Sequence, residues 1–336
     1  MNLDTGVPKR LLSRKEMLTS VMDKMTPGVN TYDHFTYIGR FPAATVPIVA
    51  KCEAPLTSFN GYFEDLAWFM RHADDLVVAK NTEQTLDVSV RKMDRPVTRE
   101  YLKCPLYREA VEIVLEEFRE ALEQPPMTLD GALRSMDLTK ASGYVLRQSG
   151  YKKKYQAVMT GVVFQFLSRG ILDEIPLWLA CGKEREFLYR SDYIGDKKQR
   201  TFIVEPFELL LHHKIIYGNQ SEGMKGHWWS AYGLNPYEGG VNNMARKLLR
   251  YKRFTMFDVV RYDRLFPHMR DVFYIRNECV ADSPFKEWVT NNCCDSMVVL
   301  PNGDVIFKTW GNNSGSGTTT GDNILGMAIC LVHAFL

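Results

Sequence analysis

Asp258 and Asp263 follow the run Arg253-Phe254-Thr255-Met256-Phe257, which is short, aromatic and apolar and reads as a buried strand. Asp258 then stands at the strand's exposed end, where a lone carboxylate can hold a hard divalent cation through oxygen. Mg²⁺ takes one or two protein carboxylates and completes its shell with phosphate oxygens and water, the arrangement that phosphoryl transfer needs. Asp263 lies one turn further on and points elsewhere. The pair alone also fits a bland reading, in which Asp258 caps a turn and Asp263 pairs with Arg264 or Arg261 at the surface.

A second segment runs Gly311-Asn312-Asn313-Ser314-Gly315-Ser316-Gly317-Thr318-Thr319-Thr320-Gly321-Asp322-Asn323. Gly315 and Gly317 permit backbone angles that other residues avoid, so this loop can fold tightly against a base pair. Thr318, Thr319 and Thr320 offer helix caps, and Ile324, Leu325, Ala328, Ile329, Leu331 and Val332 supply a mostly apolar, buried helix. The Asn323 amide, on the first turns, could bond to Asp263 and with it read a ribose hydroxyl. A Gly/Ser-rich hairpin loop without chemistry is the plain alternative.

Asp258-x4-Asp263 resembles motif A of viral RNA-dependent RNA polymerases, and Ser314-Gly315-x3-Thr319-x3-Asn323 is similar to their motif B, in the same order along the chain. The resemblance implies that Asp258 binds the catalytic metals, that Asp263 and Asn323 select ribonucleotides, and that Ser314, Gly315 and Thr319 form the nucleotide and template loop. Asp196-Lys197-Lys198-Gln199-Arg200-Thr201-Phe202-Ile203 resembles the basic motif F strand. Lys198 and Arg200 would share one face of that strand and approach a triphosphate, the arginine bidentately; Lys183 and Arg190 are weaker members of the group. Asp137-Leu138-Thr139-Lys140-Ala141-Ser142-Gly143-Tyr144 is similar to motif G, which implies template contacts from Thr139, Lys140, Ser142 and Gly143. Tyr232-Gly233-Leu234-Asn235-Pro236-Tyr237-Glu238-Gly239-Gly240, Met244-Ala245-Arg246-Lys247, Tyr217-Gly218-Asn219-Gln220 and the hairpin before the Ser/Gly loop make astroviruses, among positive-strand RNA viruses, the best match. The likeness covers roughly residues 130 to 336.

What it implies is an α+β right-hand polymerase: an amino-terminal extension with part of the fingers over 1–130, fingers over 131–250, and a partial palm over 251–336. The reaction implied is nucleotidyl transfer with Mg²⁺, or Mn²⁺ in its place. Its partners are template and product RNA, ribonucleoside triphosphates and other viral replication proteins, in the host cytoplasm at membrane-associated complexes. No Gly-Asp-Asp or comparable aspartate pair follows Asn323, so the chain is expected to be an amino-terminal fragment that does not polymerise alone. A reverse transcriptase fits less well, since its motif A carries a bulky residue where Asp263 stands. A non-catalytic RNA-binding or assembly module is the alternative from another class.

The elements that must position these residues are legible in part. Val298-Val299-Leu300-Pro301-Asn302-Gly303-Asp304-Val305 joins two β-rich runs through Asn-Gly, a strong hairpin signal. Val111, Val114, Leu115, Phe118 and Leu122 recur at helical spacing after Leu106, and Pro125-Pro126 stops that helix. Another helix is expected from Thr57 or Ser58 through Met70. A 45% apolar and 24% charged composition over 336 residues suits a large globular chain. No run reaches the roughly 18 apolar residues that cross a bilayer, and residues 1–24 carry scattered charges unlike a signal peptide. Between Lys140 and Arg253 there are 19 Lys+Arg against 10 Asp+Glu, a basic stretch suited to RNA and triphosphates. Within it, Lys152-Lys153-Lys154 reads as solvated lysines. The seven cysteines show no metal-binding spacing, and Cys293 and Cys294 read as small buried residues. His212 and His213 point about 100° apart on a helix, which argues against joint ligation. His72-Ala73-Asp74-Asp75 reads as a polar helix end.

Overall fold

The computed structural model describes residues 12–28, 30–42, 76–78, 83–182, 187–189, 201–236, 239–253, 259 and 262–336. Asp258, the strand before it, Lys198, Arg200, Lys183, Arg190, the helix expected from Thr57 and the His72–Asp75 segment lie outside these residues.

Apolar runs make a five-stranded sheet, ordered β1-β7-β6-β3-β5, from β1 (Thr36–Arg40), β3 (Leu177–Gly182), β5 (Thr201–Val204), β6 (Ser296–Val299) and β7 (Asp304–Lys308). A separate antiparallel pair joins β2 (Leu76–Val78) to β4 (Phe187–Tyr189). β3 is an inner strand: Leu177, Trp178, Leu179 and Ala180 are all buried, as a strand covered on both faces requires. It runs parallel to β6 and antiparallel to β5. The Trp178 indole N–H donates to the Asn292 carbonyl at 3.0 Å, so the largest buried side chain leaves no unmet polar atom.

The Asn-Gly signal is realised as the β6–β7 hairpin, with Met297 opposite Phe307 and Val299 opposite Val305. Gly303 takes φ +92°, a left-handed angle that glycine adopts at little cost. It also lies against β1, for the Phe41 N–H donates to the Gly303 carbonyl at 2.9 Å. Asp304 begins β7 fully buried and accepts hydrogen bonds from Asn30 at 2.6 Å, Tyr32 at 2.8 Å and Asn302 at 2.8 Å. The amino-terminal segment is thus tied to the hairpin by one carboxylate. Asp94 does the same for the entry to β1, accepting the N–H groups of Asp33, His34 and Phe35 at 2.7–2.8 Å.

Helices cover the sheet. In chain order they are α1 (Arg14–Met22), α2 (Glu83–Arg91), α3 (Pro105–Leu122), α4 (Leu129–Arg134), α5 (Tyr144–Gln148), α6 (Lys154–Met159), α7 (Val163–Phe166), α8 (Phe207–Gly223), α9 (Gly240–Leu248), α10 (Tyr262–Leu265), α11 (Met269–Glu278), α12 (Pro284–Cys294) and α13 (Thr319–Phe335). α3 is the helix read from the Val111–Leu122 spacing. Pro105 opens it, and its buried stripe of Val111, Val114, Leu115, Phe118 and Leu122 packs on α8, α11 and α13. Each such fully buried side chain contributes about 1.5–3 kcal/mol.

Two expectations need correction. Lys154 is not solvated: it is buried at the start of α6, and burial holds its pKa below the ordinary lysine value. α13 is not buried throughout. Leu325, Ala328 and Ile329 enter the core, but Phe335 is 88% exposed.

Replacing Gly303 with alanine would put a Cβ 2.7 Å from the Phe41 carbonyl oxygen in a left-handed conformation. Gly303→Ala is expected to cost about 1–3 kcal/mol, read as a lower urea midpoint with an unchanged slope.

Candidate functional site

The Ser/Gly loop, 311–318, is held by main-chain bonds to two other parts of the chain. The Gly311 and Asn312 N–H groups donate to the carbonyls of Phe266 and Asp263, both at 2.7 Å, and the Gly315 N–H donates to Ile203 in β5 at 3.0 Å. The Gly317 N–H donates to a Glu205 carboxylate oxygen at 2.7 Å, and Lys214 donates to the Gly317 carbonyl at 3.1 Å. These approaches explain the glycines. A Cβ on Gly311, where φ is +77°, would sit 2.5 Å from the Arg264 carbonyl oxygen, and one on Gly315 would collide with that of Ile203.

Side chains finish the loop. Buried Lys308 at the end of β7 donates to Asn313 Oδ1 at 2.7 Å and to the Gly311 carbonyl at 3.3 Å. Desolvation lowers its pKa from 10.5 to about 7, and the Asp263 carboxylate opposes that fall. Asn312 donates both to the Asn323 side-chain oxygen at 3.0 Å and to the Thr319 carbonyl at 3.2 Å. The Thr319 hydroxyl donates towards the carbonyls of Asn313 and Ser316 at 3.0 and 2.9 Å. Ser314 is exposed at the loop's crest.

Asp263 and Asn323 therefore converge on Asn312, one through its main chain and one through its amide. Among the described residues no hydrogen bond joins the Asp263 carboxylate directly to Asn323. Tyr262 reinforces the junction by donating to the Asn323 carbonyl at 3.0 Å.

Behind the loop runs a buried polar chain that sequence reading missed. Glu205 faces His213 Nδ1 at 2.9 Å, His213 Nε2 faces the Thr318 hydroxyl at 2.7 Å, and Thr318 Oγ1 lies 2.8 Å from Asp322. Arg276 Nε then donates to Asp322 at 2.7 Å, and both residues are fully buried. Gln220 closes the chain, accepting from Arg276 Nη1 and donating to the Arg276 carbonyl, each at 3.0 Å. Thr318 has one hydrogen for two neighbours. With its hydrogen donated to Asp322, the Thr318 oxygen accepts from His213 Nε2. The legible signal was a lone arginine amid Val272, Phe273 and Ile275 on α11.

Glu205, His213 and Cys293 place their ligand atoms within 4.8 Å of one another, all buried. Nitrogen and sulfur donors do not suit Mg²⁺. Burial also pushes the Cys293 thiol far above its ordinary pKa, and both Glu205 oxygens already accept protein hydrogens. Hydrogen bonding accounts for this group without an ion. His212 is separate: its ring meets the Phe166 carbonyl at 2.6 Å.

The loop at 137–143 is placed away from water in part. Ser142 is buried and donates to the Tyr151 carbonyl, while Gly143 takes φ +99° against Pro206. Thr139 bonds Asp137 at 2.6 Å, and exposed Lys140 lies 3.7 Å from the same carboxylate.

Comparison with known proteins follows this geometry. The family model for viral RNA-dependent RNA polymerase matches residues 107–331, so the match begins within α3, upstream of the stretch read from motifs. The chain is 35% identical over 101 residues to the non-structural polyprotein 1AB of human astrovirus-1, covering 27% of this chain and 7% of that polyprotein. It is 28% identical over 218 residues to the genome polyprotein of beet mosaic virus, covering 61% of this chain and 7% of that one. The genome polyprotein of sweet potato mild mottle virus is 26% identical over 212 residues, with 59% and 6% covered. The chain thus spans less than a tenth of the length of these three relatives.

Two measurements test the site's supports. Asp322→Ala leaves the Arg276 charge buried without its counter-ion and is expected to cost about 3–5 kcal/mol. The double variant Asp322→Ala with Arg276→Met should recover most of that in chemical unfolding. For Lys308, between pH 7 and its unfolded pKa the unfolded chain holds a proton that the folded chain lacks, so stability rises with pH across that window and lies at its lower level below it. Thermal unfolding between pH 7 and 9 should show the unmodified chain gaining stability relative to Lys308→Met; parallel profiles would contradict the burial argument.

Proposed function

The chain belongs to the viral RNA-dependent RNA polymerase family, and from that membership we propose that residues 196–204, 258–263 and 311–323 form the ribonucleotide site of an RNA-directed RNA polymerase. The observation that carries this is the main-chain lock of the Ser/Gly loop, which gathers Ile203, Asp263 and Asn323 around one small volume. An RNA 3′ hydroxyl would attack the α-phosphate of a bound ribonucleoside triphosphate, with pyrophosphate leaving. A divalent cation, Mg²⁺ or Mn²⁺, would neutralise developing charge, and Asp258 offers the hard oxygen ligand it prefers. Lys198 and Arg200, just before β5, would neutralise the triphosphate. Asp263 and Asn323 would read the ribose through Asn312, while Ser314, Gly315 and Thr319 would contact the base pair. Thr139, Lys140, Ser142 and Gly143 would steer the template, Ser142 and Gly143 by shaping the loop.

Residues up to about 250 would form the fingers and those from 251 the first palm elements. Template and product RNA and other viral replication proteins would be the partners, at membrane-associated complexes in the host cytoplasm. No helix among the described residues is long and apolar enough to cross a membrane. A second reading is a non-catalytic RNA-binding or assembly module, to which the excess of 19 Lys+Arg over 10 Asp+Glu between Lys140 and Arg253 is also suited.

Triphosphate binding in Mg²⁺ separates the readings. Lys198→Ala with Arg200→Ala should weaken ribonucleoside triphosphate binding by about ten- to a hundredfold, as loss of charge-assisted hydrogen bonds implies. Asn323→Ala should reduce the preference for ribo- over deoxyribonucleotides. Absence of any saturable triphosphate binding, with RNA binding retained, would favour the module.

A further inference from the structure

Between the turn after α8 and the helix α9 lies a cleft of about 420 Å³, lined by Trp228, Trp229, Tyr232, Met244, Lys247 and Leu248 among others. Its walls belong neither to the Ser/Gly loop nor to the polar chain behind it. Trp228 is 65% exposed, an unusual state for the largest aromatic side chain. Its orientation is nevertheless fixed: the indole N–H donates to Glu117 on α3 at 2.6 Å, and its ring lies 5.3 Å from that of Trp229. The turn is anchored too, since His227 stacks on Phe118 at 4.2 Å and the Gly226 N–H donates to the Tyr232 carbonyl at 2.8 Å. A ring held at its edge and open on its face is a preformed stacking surface.

The opposite wall is as unusual. None of the residues of α9 is buried, so this helix contributes apolar surface to the cleft and not to the core. It leads into a run of cations, with Arg246, Lys247, Arg250, Lys252 and Arg253 all exposed. Among the described residues no carboxylate lines the cleft, and the nearby Glu117 and Glu222 are engaged by Trp228 and Lys225. A flat aromatic platform beside a positive stripe complements a strand whose bases are unstacked and whose phosphates are regularly spaced. A duplex would keep its bases from such a cleft, and an acidic peptide would not use the exposed ring face.

We infer that this cleft is a single-stranded RNA subsite. One base stacks on Trp228, flanked by Tyr232 and Met244, the Asn243 amide faces its edge, and the following phosphates run along Lys247 and the Arg250–Arg253 cations. The inference rests on the polymerase reading only for the identity of the polyanion. The volume suits a single nucleotide, so the strand would be gripped at one base and tethered electrostatically beyond it.

The test is anisotropy of a labelled oligouridylate of about ten nucleotides on the full chain, titrated at several salt concentrations. Trp228→Ala should weaken binding about tenfold, within the range that loss of one stacked base produces, and Trp228→Phe should restore most of it. Lys247→Ala should lower the salt slope by about one. Triphosphate binding should be unmoved by all three. Oligouridylate affinity that falls in Lys198→Ala with Arg200→Ala but is unchanged in Trp228→Ala would overturn the subsite and leave the polymerase reading standing. The reverse pattern would uphold the subsite and leave the nucleotide channel to the triphosphate measurement. Equal competition by polyglutamate, lost together with RNA binding in Trp228→Ala, would show a peptide surface and overturn the proposal.

Discussion

Everything in the candidate site leans on a charge pair that water does not reach. Arg276 and Asp322 are fully buried, and a charge taken out of water without a partner is among the costliest features a core can hold. Each therefore fixes the other. Asp322 sits in the first turn of α13, so the pair sets where that helix begins, and Thr318 and His213 carry the constraint outward to Glu205 and the Gly317 N–H. A loop rich in glycine and serine would by itself sample many conformations; here its far end is bolted to the interior.

The near end of the loop is set differently. Gly311, Asn312 and Gly315 use backbone donors on backbone acceptors of Phe266, α10 and β5, so side-chain identity matters there mainly through what glycine lacks. Lys308 then supplies a hydrogen-bond donor where water cannot, its Nζ facing Asn313. The loop is thus rigid at both ends, with Ser314 exposed between them. This suits a surface that must meet a nucleotide without rearranging, the preorganisation that makes binding energy usable in a transition state.

What the sequence revealed follows from physics that acts locally. The Asn302-Gly303 turn was legible because a two-strand connection needs left-handed angles, and α3 because Val111, Val114, Leu115, Phe118 and Leu122 share one face. The pairing of Asp263 and Asn323 was legible only as neighbourhood. That Asn312 stands between them depends on how α10 meets the loop, a distance no spacing encodes. Arg276, Asp322, Glu205 and Lys308 were missed because polar residues inside apolar elements normally mean surface, and only the folded chain supplies the partners that reverse this. Lys154 was misread for the same reason.

The sheet's strand order also sets a schedule. β1 pairs with β7, Thr36 lying opposite Phe307 and Arg40 opposite Asp304, so β1 can be paired only after the roughly 260 residues that separate it from β7 have been made. At the roughly 5–20 residues per second of translation, that strand waits for a time on the order of tens of seconds. Asn30 and Tyr32, whose partner is Asp304, wait with it. During synthesis the amino-terminal segment is therefore a ribbon without an edge to join, dependent on α2 and Asp94 for what order it has. Loops that close over such separations slow folding, so completion of the hairpin is the event that commits these strands to the sheet.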